Sequence, residues 1–392
     1  MTRRALVLDG SLAWEVSFFL SSTLRCQGIF AGSALNTQPN EIQVTPDLMS
    51  HPAMEQGVVP SLQELLFTDP DHFVSKHTDI AAVNLACARG LPKADESQFP
   101  GYLALLDRMA EVVRIKTEKS WRLFKIKPAE FHNSENVFRV FTMEHVLRVQ
   151  FGVKYDPLVW EMTRHGTEVT AWKSADSTEV FVHGVLSEKR TGTCSSLPTF
   201  SIAIGRRLGY PLKLMRVPNH TLFRWDDGKE KFNFQHTFAG AEIKPDEYFH
   251  TWPRRWDESD FHMNARTKVW LHSMTPKQEV SKFLCNRSIM LFELGRLQEA
   301  LDAVAAAERF DSINPACAEI ACCILESMNN DFAPPPLPMF AQYADHSRLI
   351  SIPTSMWPSG TELLDTLNPF RDKSKDPKQL LVRISRISNN LK

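Results

Sequence analysis

The chain lacks an excess of either charge: 45 basic residues stand against 46 acidic ones, for a formal net charge of -1. That balance gives no electrostatic footprint for nucleic acid or an anionic membrane surface. Local basic pairs such as Arg254-Arg255 read as solvated surface. No run of 18 uncharged apolar residues occurs, so no transmembrane helix is expected. The opening stretch ALVLDGSLAWEVSFFLSS after Arg3-Arg4 is interrupted by Asp9 and Glu15 and is not followed by a small-residue cleavage site. It is therefore not read as an export signal. The seven cysteines are odd in number and scattered, with no CxxC pair, which excludes a disulfide framework and points to a reducing cytoplasm. Cys317, Cys322 and Cys323 lack histidines at ligand spacing and sit in an apolar helical run, so they read as small buried hydrophobes. No acidic loop has calcium spacing, and neither a metal nor a cofactor is expected.

What is present is 392 residues of ordinary globular composition, 43% hydrophobic and 23% charged, enough for two or three domains. Residues 30–60, rich in Asn, Gln, Pro and Ser, read as a loose connector. From Ser61 the pattern turns helical. SLQELLF begins with a capping-box signature, TDIAAVNLACARGL stops at Gly90, and YLALLDRMAEVVRIK is strongly amphipathic. SENVFRVFTMEHVLRVQF should start at Ser134 and end near Gly152, followed by a turn at Tyr155-Asp156-Pro157. Around Val169 the period changes. EVTAWKS, TEVFVHGVL, LKLMRV, TLFRW and KFNFQHTF are short, β-branched or aromatic, and read as strands, with a hairpin at DDGK. Between them LPTFSIAIGRRLG is a helix of roughly three turns closing at Gly209. Helices return after Thr275, where two amphipathic segments hinge at Gly295 with Ala300, Ala303 and Ala307 along a close seam. That is the pattern of a tetratricopeptide-type hairpin. The segment DFAPPPLPMF cannot be helical. The fold class expected is α+β.

Chemistry concentrates between Arg190 and Phe238. Cys194 precedes Pro198 at the start of a helix, where unpaired N–H groups and the positive end of the helix dipole favour a thiolate. The competing reading is an inert buried cysteine in a helix cap. His220 follows a Pro-Asn turn and starts a strand, placing an imidazole where it could take and return a proton. Asn233 and Gln235 lie two apart on the next strand and share a face, so either could orient that imidazole. His183 reads as a satisfied structural histidine and Trp225 as core or cleft wall.

The runs GTCSSLP, AIGRRLGYPL, PNH, FRW and FNFQHT together resemble the transglutaminase-like domain of SirB-type proteins. The resemblance extends over residues 78 to 315, taking in the helical lead-in and the LGRLQEAL hairpin. It implies a papain-like core with a Cys-His-acid triad, with Cys194 as nucleophile and His220 as base. The third position falls on Gln235, where the family pattern has an acid, and Asn233 is the rival. The resulting parse is an irregular segment over 1–60, a helical lead-in packed on the core over 61–160, a transglutaminase-like domain over 161–258, tetratricopeptide-like helices over 259–330, and a Pro-rich segment and tail over 331–392.

Two functions are expected from this. The first is a metal-free, thiol-dependent amide hydrolase, deamidase or acyltransferase acting on protein or peptide amides. The second is a catalytically weak or inactive scaffold that binds a protein partner through the cleft and the helical hairpin. Gln235 in place of an acid favours the second.

Overall fold

The computed structural model describes residues 57–157, 159–160, 176–218, 220–237 and 240–329. The N-terminal segment up to residue 56, the strand expected at EVTAWKS, Asn219 and the Pro-rich tail lie outside the described residues.

Helices come first. They are α1 (Leu62–Phe67), α2 (Pro70–Lys76), α3 (Ile80–Ala88), α4 (Phe99–Ile126) and α5 (Glu135–Phe151). The starts follow local chemistry: Ser61 accepts from the Glu64 N–H, Asp69 from two N–H groups of α2, and Asp79 from Ala81. The capping box at α1 is only half formed, because the Glu64 carboxylate turns away to Lys76 and His77. All nine residues of α3 are buried, so this helix is a central pillar and not an amphipathic cover.

Two compact units are distinguished. The smaller one, over described residues 120–138, is held by ring contacts among Trp121, Phe124, Phe131 and Phe138. Ser134 accepts from the Val137 N–H there and opens α5, as the sequence indicates. The larger one contains the remaining described residues and all of the chemistry considered below.

In the larger unit, β1 (Lys154–Tyr155) pairs in parallel with β2 (Thr191–Gly192). Between them in the chain lie α6 (Ser177–Val180) and α7 (Val182–Leu186). These two short helices correct the strand expected at TEVFVHGVL. Every residue of α7 is buried, and a short apolar run buried on all sides has no alternation to distinguish strand from helix. The close approach of Gly184 to the Thr178 carbonyl also requires this compact path.

After the helix α8 (Leu197–Arg207), Gly209 turns the chain at φ +76° into a four-stranded antiparallel sheet. Its order is β3 (Leu212–Val217), β4 (His220–Asp226), β5 (Lys231–Thr237) and β6 (Gly240–Lys244). The strand β6 is not expected from the sequence, which offers no strand signal beyond KFNFQHTF. Strand alternation divides the sheet. Leu212, Leu214, Phe223, Trp225 and Phe234 join the main core with Phe200, Ile202 and Ile204 of α8. Met215, Val217 and Leu222 face the other way and pack on Phe249.

The last helices are α9 (Glu258–Thr267), α10 (Pro276–Glu293), α11 (Leu297–Phe310) and α12 (Pro315–Asn329). The α10–α11 hairpin turns at Gly295, φ +71°, with Ala300, Ala303 and Ala307 fully buried in the seam. Main-core residues run from Leu65 in α1 to Leu325 in α12, so lead-in helices, sheet and hairpin share one interior. Among the described residues no helix is long and apolar enough to cross a membrane. Arg254 is not a solvated cation: it binds the buried carboxylate of Asp260 through two nitrogens.

Candidate functional site

The thiol site is built from the turn that opens α8. Thr193 and Ser196 cross-link it: the Thr193 N–H donates to Ser196 Oγ at 3.1 Å, and the Ser195 N–H to Thr193 Oγ1 at 3.1 Å. Both hydroxyls donate to the Glu179 carbonyl. Gly192 permits this tight entry, since a Cβ there would meet Val185, Ser196 and Leu197 within 2.9 Å. Cys194 sits in the turn that precedes α8, two residues ahead of the N-cap Ser196, and not at the helix terminus where the sequence places it.

Its electrostatics depart from expectation. Cys194 is 4% exposed, and burial raises its pKa above the usual thiol value. Four interactions act against that burial: a hydrogen bond with the Tyr155 hydroxyl, the charge of Lys282, and backbone hydrogen bonds from Thr221 and from Cys194 itself. The helix start alone does not make a resting thiolate. Tyr155 also accepts the Cys194 backbone N–H at 3.1 Å. The β1–β2 pairing sets Tyr155 opposite Gly192 and so delivers this hydroxyl.

Tyr155 and Lys282 are the residues that sequence reasoning missed. Tyr155 was assigned to a turn, and a two-residue parallel bridge leaves no periodic signal. Lys282 lies in the hairpin segment KFLCN, where a lysine leading directly into an apolar run is the one available hint. Burial lowers the Lys282 pKa to about 8, and the Cys194 charge acts to raise it. Lys282 is one turn along α10 from Glu279, which Arg206 of α8 binds through two nitrogens and to which the Leu214 N–H donates.

His220 starts β4 as expected, and the backbone of its neighbour Thr221 reaches the Cys194 sulfur. The imidazole itself does not meet the thiol. It packs edge-on against Trp252, with ring centroids 4.7 Å apart, and both ring nitrogens are buried without a hydrogen-bond partner. Alternation explains the separation, because His220 shares the sheet face of Leu222 and Arg224 while Thr221 takes the face toward α8. Burial first, then the charges of His236 and Lys282, lower its pKa to about 3.

The two candidate orienting residues part company. Asn233 is fully engaged: its Oδ1 accepts from Arg224 Nε at 2.6 Å, and its Nδ2 donates to the Lys244 carbonyl and to Asp246. Arg224 is 2% exposed and bonds Asp246 as well. Asn233 is a structural partner of a buried guanidinium, not an orienter of His220. Gln235 is equally buried, and its Oε1 has no partner. Replacing Asn233 with Ala should therefore cost about 2–3 kcal/mol, the range for a lost hydrogen bond to a buried charge. A urea midpoint measures this. The reactivity of Cys194 in the folded fraction should stay unchanged, and a fall in that reactivity at unchanged stability would refute the assignment.

The other residues match the expectations only in part: the buried Nδ1 of His183 has no partner, and two of the three late cysteines are not fully buried. His183 is 2% exposed and its Nε2 lies 3.0 Å from Ser177 Oγ. Trp225 is core, with its indole N–H donating to Asp227. The six described cysteines are free. Cys317 is buried, with its sulfur 3.6 Å from that of Cys285, while Cys322 and Cys323 are half-buried. A shallow, half-open pocket of about 20 Å³ lies beside the opening turn of α8, lined by Glu144, Arg148, Lys154, Tyr155, Leu197 and His236. Cys194 does not line it. Among the described residues, no three His, Cys, Asp or Glu side chains are grouped to hold a metal ion. No family model, curated protein or solved structure matches this chain.

Proposed function

We propose that the chain is a cysteine-dependent acyl-transfer protein of papain-like, transglutaminase-like type, with Cys194 as nucleophile and His220 as base. The observation that carries this reading is the convergence of donors on one buried sulfur. A thiol in the turn before α8 is hydrogen-bonded by the Tyr155 hydroxyl and the Thr221 backbone and lies within the field of the Lys282 charge. An inert core thiol needs none of these: Cys87, with only the charge of Arg287 acting against burial, is pushed up to about 12.

In the reaction, His220 takes the Cys194 proton as the sulfur bonds to the carbonyl carbon of an amide. The C–N bond then breaks, and His220 returns the proton to the departing amine. Water or a second amine attacks the thioester, its oxygen or nitrogen bonding to carbon as the C–S bond breaks, and the thiol is restored. The Cys194 N–H stabilises the oxyanion. In the arrangement described above that N–H is held by Tyr155, so a substrate carbonyl must displace the hydroxyl. His220 must also turn from Trp252 toward the thiol. The site is thus closed at rest.

The scaffold reading is favoured by one observation, the 4% exposure of Cys194 behind an occupied N–H. Incubating the full chain with p-nitrophenyl acetate separates the two. Acyl transfer predicts one acetyl group on Cys194, located by peptide mass spectrometry and lost in Cys194→Ser. His220→Ala should slow it about 100-fold, the scale of general-base assistance. The rate should keep climbing beyond pH 8, because burial holds the thiol protonated there. Acetylation confined to lysines, or indifferent to His220→Ala, would leave the scaffold.

A further inference from the structure

We propose that Glu242 supplies the carboxylate of this site from one strand further out, positioning His220 through the side-chain amide of Gln235. The inference rests on the acyl-transfer reading and deepens it.

Three neighbouring strands carry the argument. The β5–β6 register sets Glu242 directly opposite Gln235, so the two side chains share a face at cross-strand contact distance. The β4–β5 ladder pairs Phe223 with Phe234. The ladder ends there, and strand alternation alone puts His220 and Leu222 of β4, and Gln235 of β5, on the face opposite Phe223 and Phe234. His220 and Gln235 are 4% and 2% exposed.

The polar atoms along this line are unsatisfied. Both His220 nitrogens, Gln235 Oε1 and Glu242 Oε1 are buried with no hydrogen-bond partner. Buried polar groups are almost always bonded, so four orphans on one face of three adjacent strands require an explanation. Asn233 and Lys244, next on the same face, show that it otherwise satisfies its polar groups.

One arrangement satisfies three of the four. A His220 ring N–H donates to Gln235 Oε1, and Gln235 Nε2 donates to Glu242 Oε1. The amide has an acceptor and donors in the required order, and an anion at its N–H end strengthens its oxygen as an acceptor. This answers the defect of an amide in a triad: Gln235 cannot balance an imidazolium, and Glu242 can. Bonded to Gln235 the ring leaves Trp252, and to meet the thiol it must also swing round the start of β4 toward the side of Thr221. The charged groups around the line are Lys244, 3.1 Å from Glu242 Oε2, and Lys282 and His236 acting on His220.

The test is Cys194 acetylation by p-nitrophenyl acetate across pH in the full chain. Glu242→Gln should slow it about tenfold, with Glu242→Asp recovering most of the rate. It should also move the low-pH limb of the rate profile, set by His220, down by at least half a pH unit, because a cation loses its counter-charge. Misfolding would lower the amplitude and leave the limb in place. Gln235→Glu, which puts the carboxylate beside His220, should raise the rate and make Glu242→Gln silent in the double variant. If Glu242→Gln fails to fold, Gln235→Glu alone decides, and no gain in rate overturns the relay. A His220-dependent rate indifferent to Glu242→Gln and Gln235→Glu overturns the relay alone. A rate indifferent to His220→Ala overturns the underlying reading.

Discussion

Lowering the pH from 7.5 to 4.5 should cost the native chain about 3 kcal/mol of stability relative to His220→Phe, from a folded pKa of about 3 against 6.5 unfolded. Burial is the main cause, and it depresses the pKa because the charged imidazolium is the disfavoured form. Above pH 6.5 the ring is neutral in both states and the histidine exerts no pH-dependent effect. Below pH 6.5 the unfolded chain gains a proton that the folded chain refuses, so stability is lost steadily as pH falls toward 3. Phenylalanine retains the edge contact with Trp252 and removes both orphaned nitrogens, so at pH 7.5 the variant should be at least as stable as the native chain. The comparison has to be a difference between two proteins, because other groups titrate in the same range. His183, lowered to about 4 chiefly by burial, acts in the same direction. Glu293, raised to about 7 by burial, acts oppositely: its contribution is intact below 4.5 and disappears as pH rises through 7. Urea titrations of both proteins at several pH values test the claim, and parallel curves would show that His220 is not sealed as described.

That same burial bears on the chemistry. A ring that is neutral at pH 7 has a lone pair ready for the Cys194 proton, yet a pKa near 3 makes it a feeble base. In the proposed relay, a carboxylate acting through Gln235 would raise the pKa toward the useful range. The stability experiment and the acetylation profile therefore probe two settings of one side chain, against Trp252 and against the thiol.

Local chemistry made much of the fold legible before any coordinates. The caps at Ser61 and Ser134, the breaks at Gly90, Gly152, Gly209 and Gly295, and the small-residue seam of the α10–α11 hairpin all act over a few residues, and all lie where their sequence places them. The candidate site was legible only as far as single elements reach. Cys194 stands in the turn just before its helix and His220 at its strand start. Whether they touch depends on a rotamer and on which face alternation grants His220, and neither can be read from spacing. Asn233 shows the same limit: its amide suits an imidazole, but Arg224 one strand away claims it. Tyr155 comes from 39 residues upstream through a two-residue bridge, and Lys282 from a hairpin read for its packing alone. Long-range delivery of this kind has no local signature.

The strongest single stability effect should come from Gly184→Ala. Gly184 lies in the middle of α7, where a Cβ would stand 1.7 Å from the Thr178 carbonyl oxygen and 2.5 Å from its carbon. The obstacle is backbone, so no side chain can swing aside. Relief requires separating α7 from the turn before it. That turn carries the Glu179 carbonyl, which receives the Thr193 and Ser196 hydroxyls, so the strain passes to the opening turn of α8 and to Cys194. A loss of at least about 3 kcal/mol is expected, at the upper end for overpacking in a rigid site. Gly101, in the first turn of α4 with nothing within 4 Å of its added Cβ, gives the control. There Ala should raise stability by roughly 0.5–1 kcal/mol through helix propensity alone. Urea midpoints that shift in opposite directions for the two variants would support the packing of α6 and α7. A Gly184→Ala loss below about 1 kcal/mol would mean that this segment runs as the strand its composition suggests, and that the thiol turn is anchored some other way.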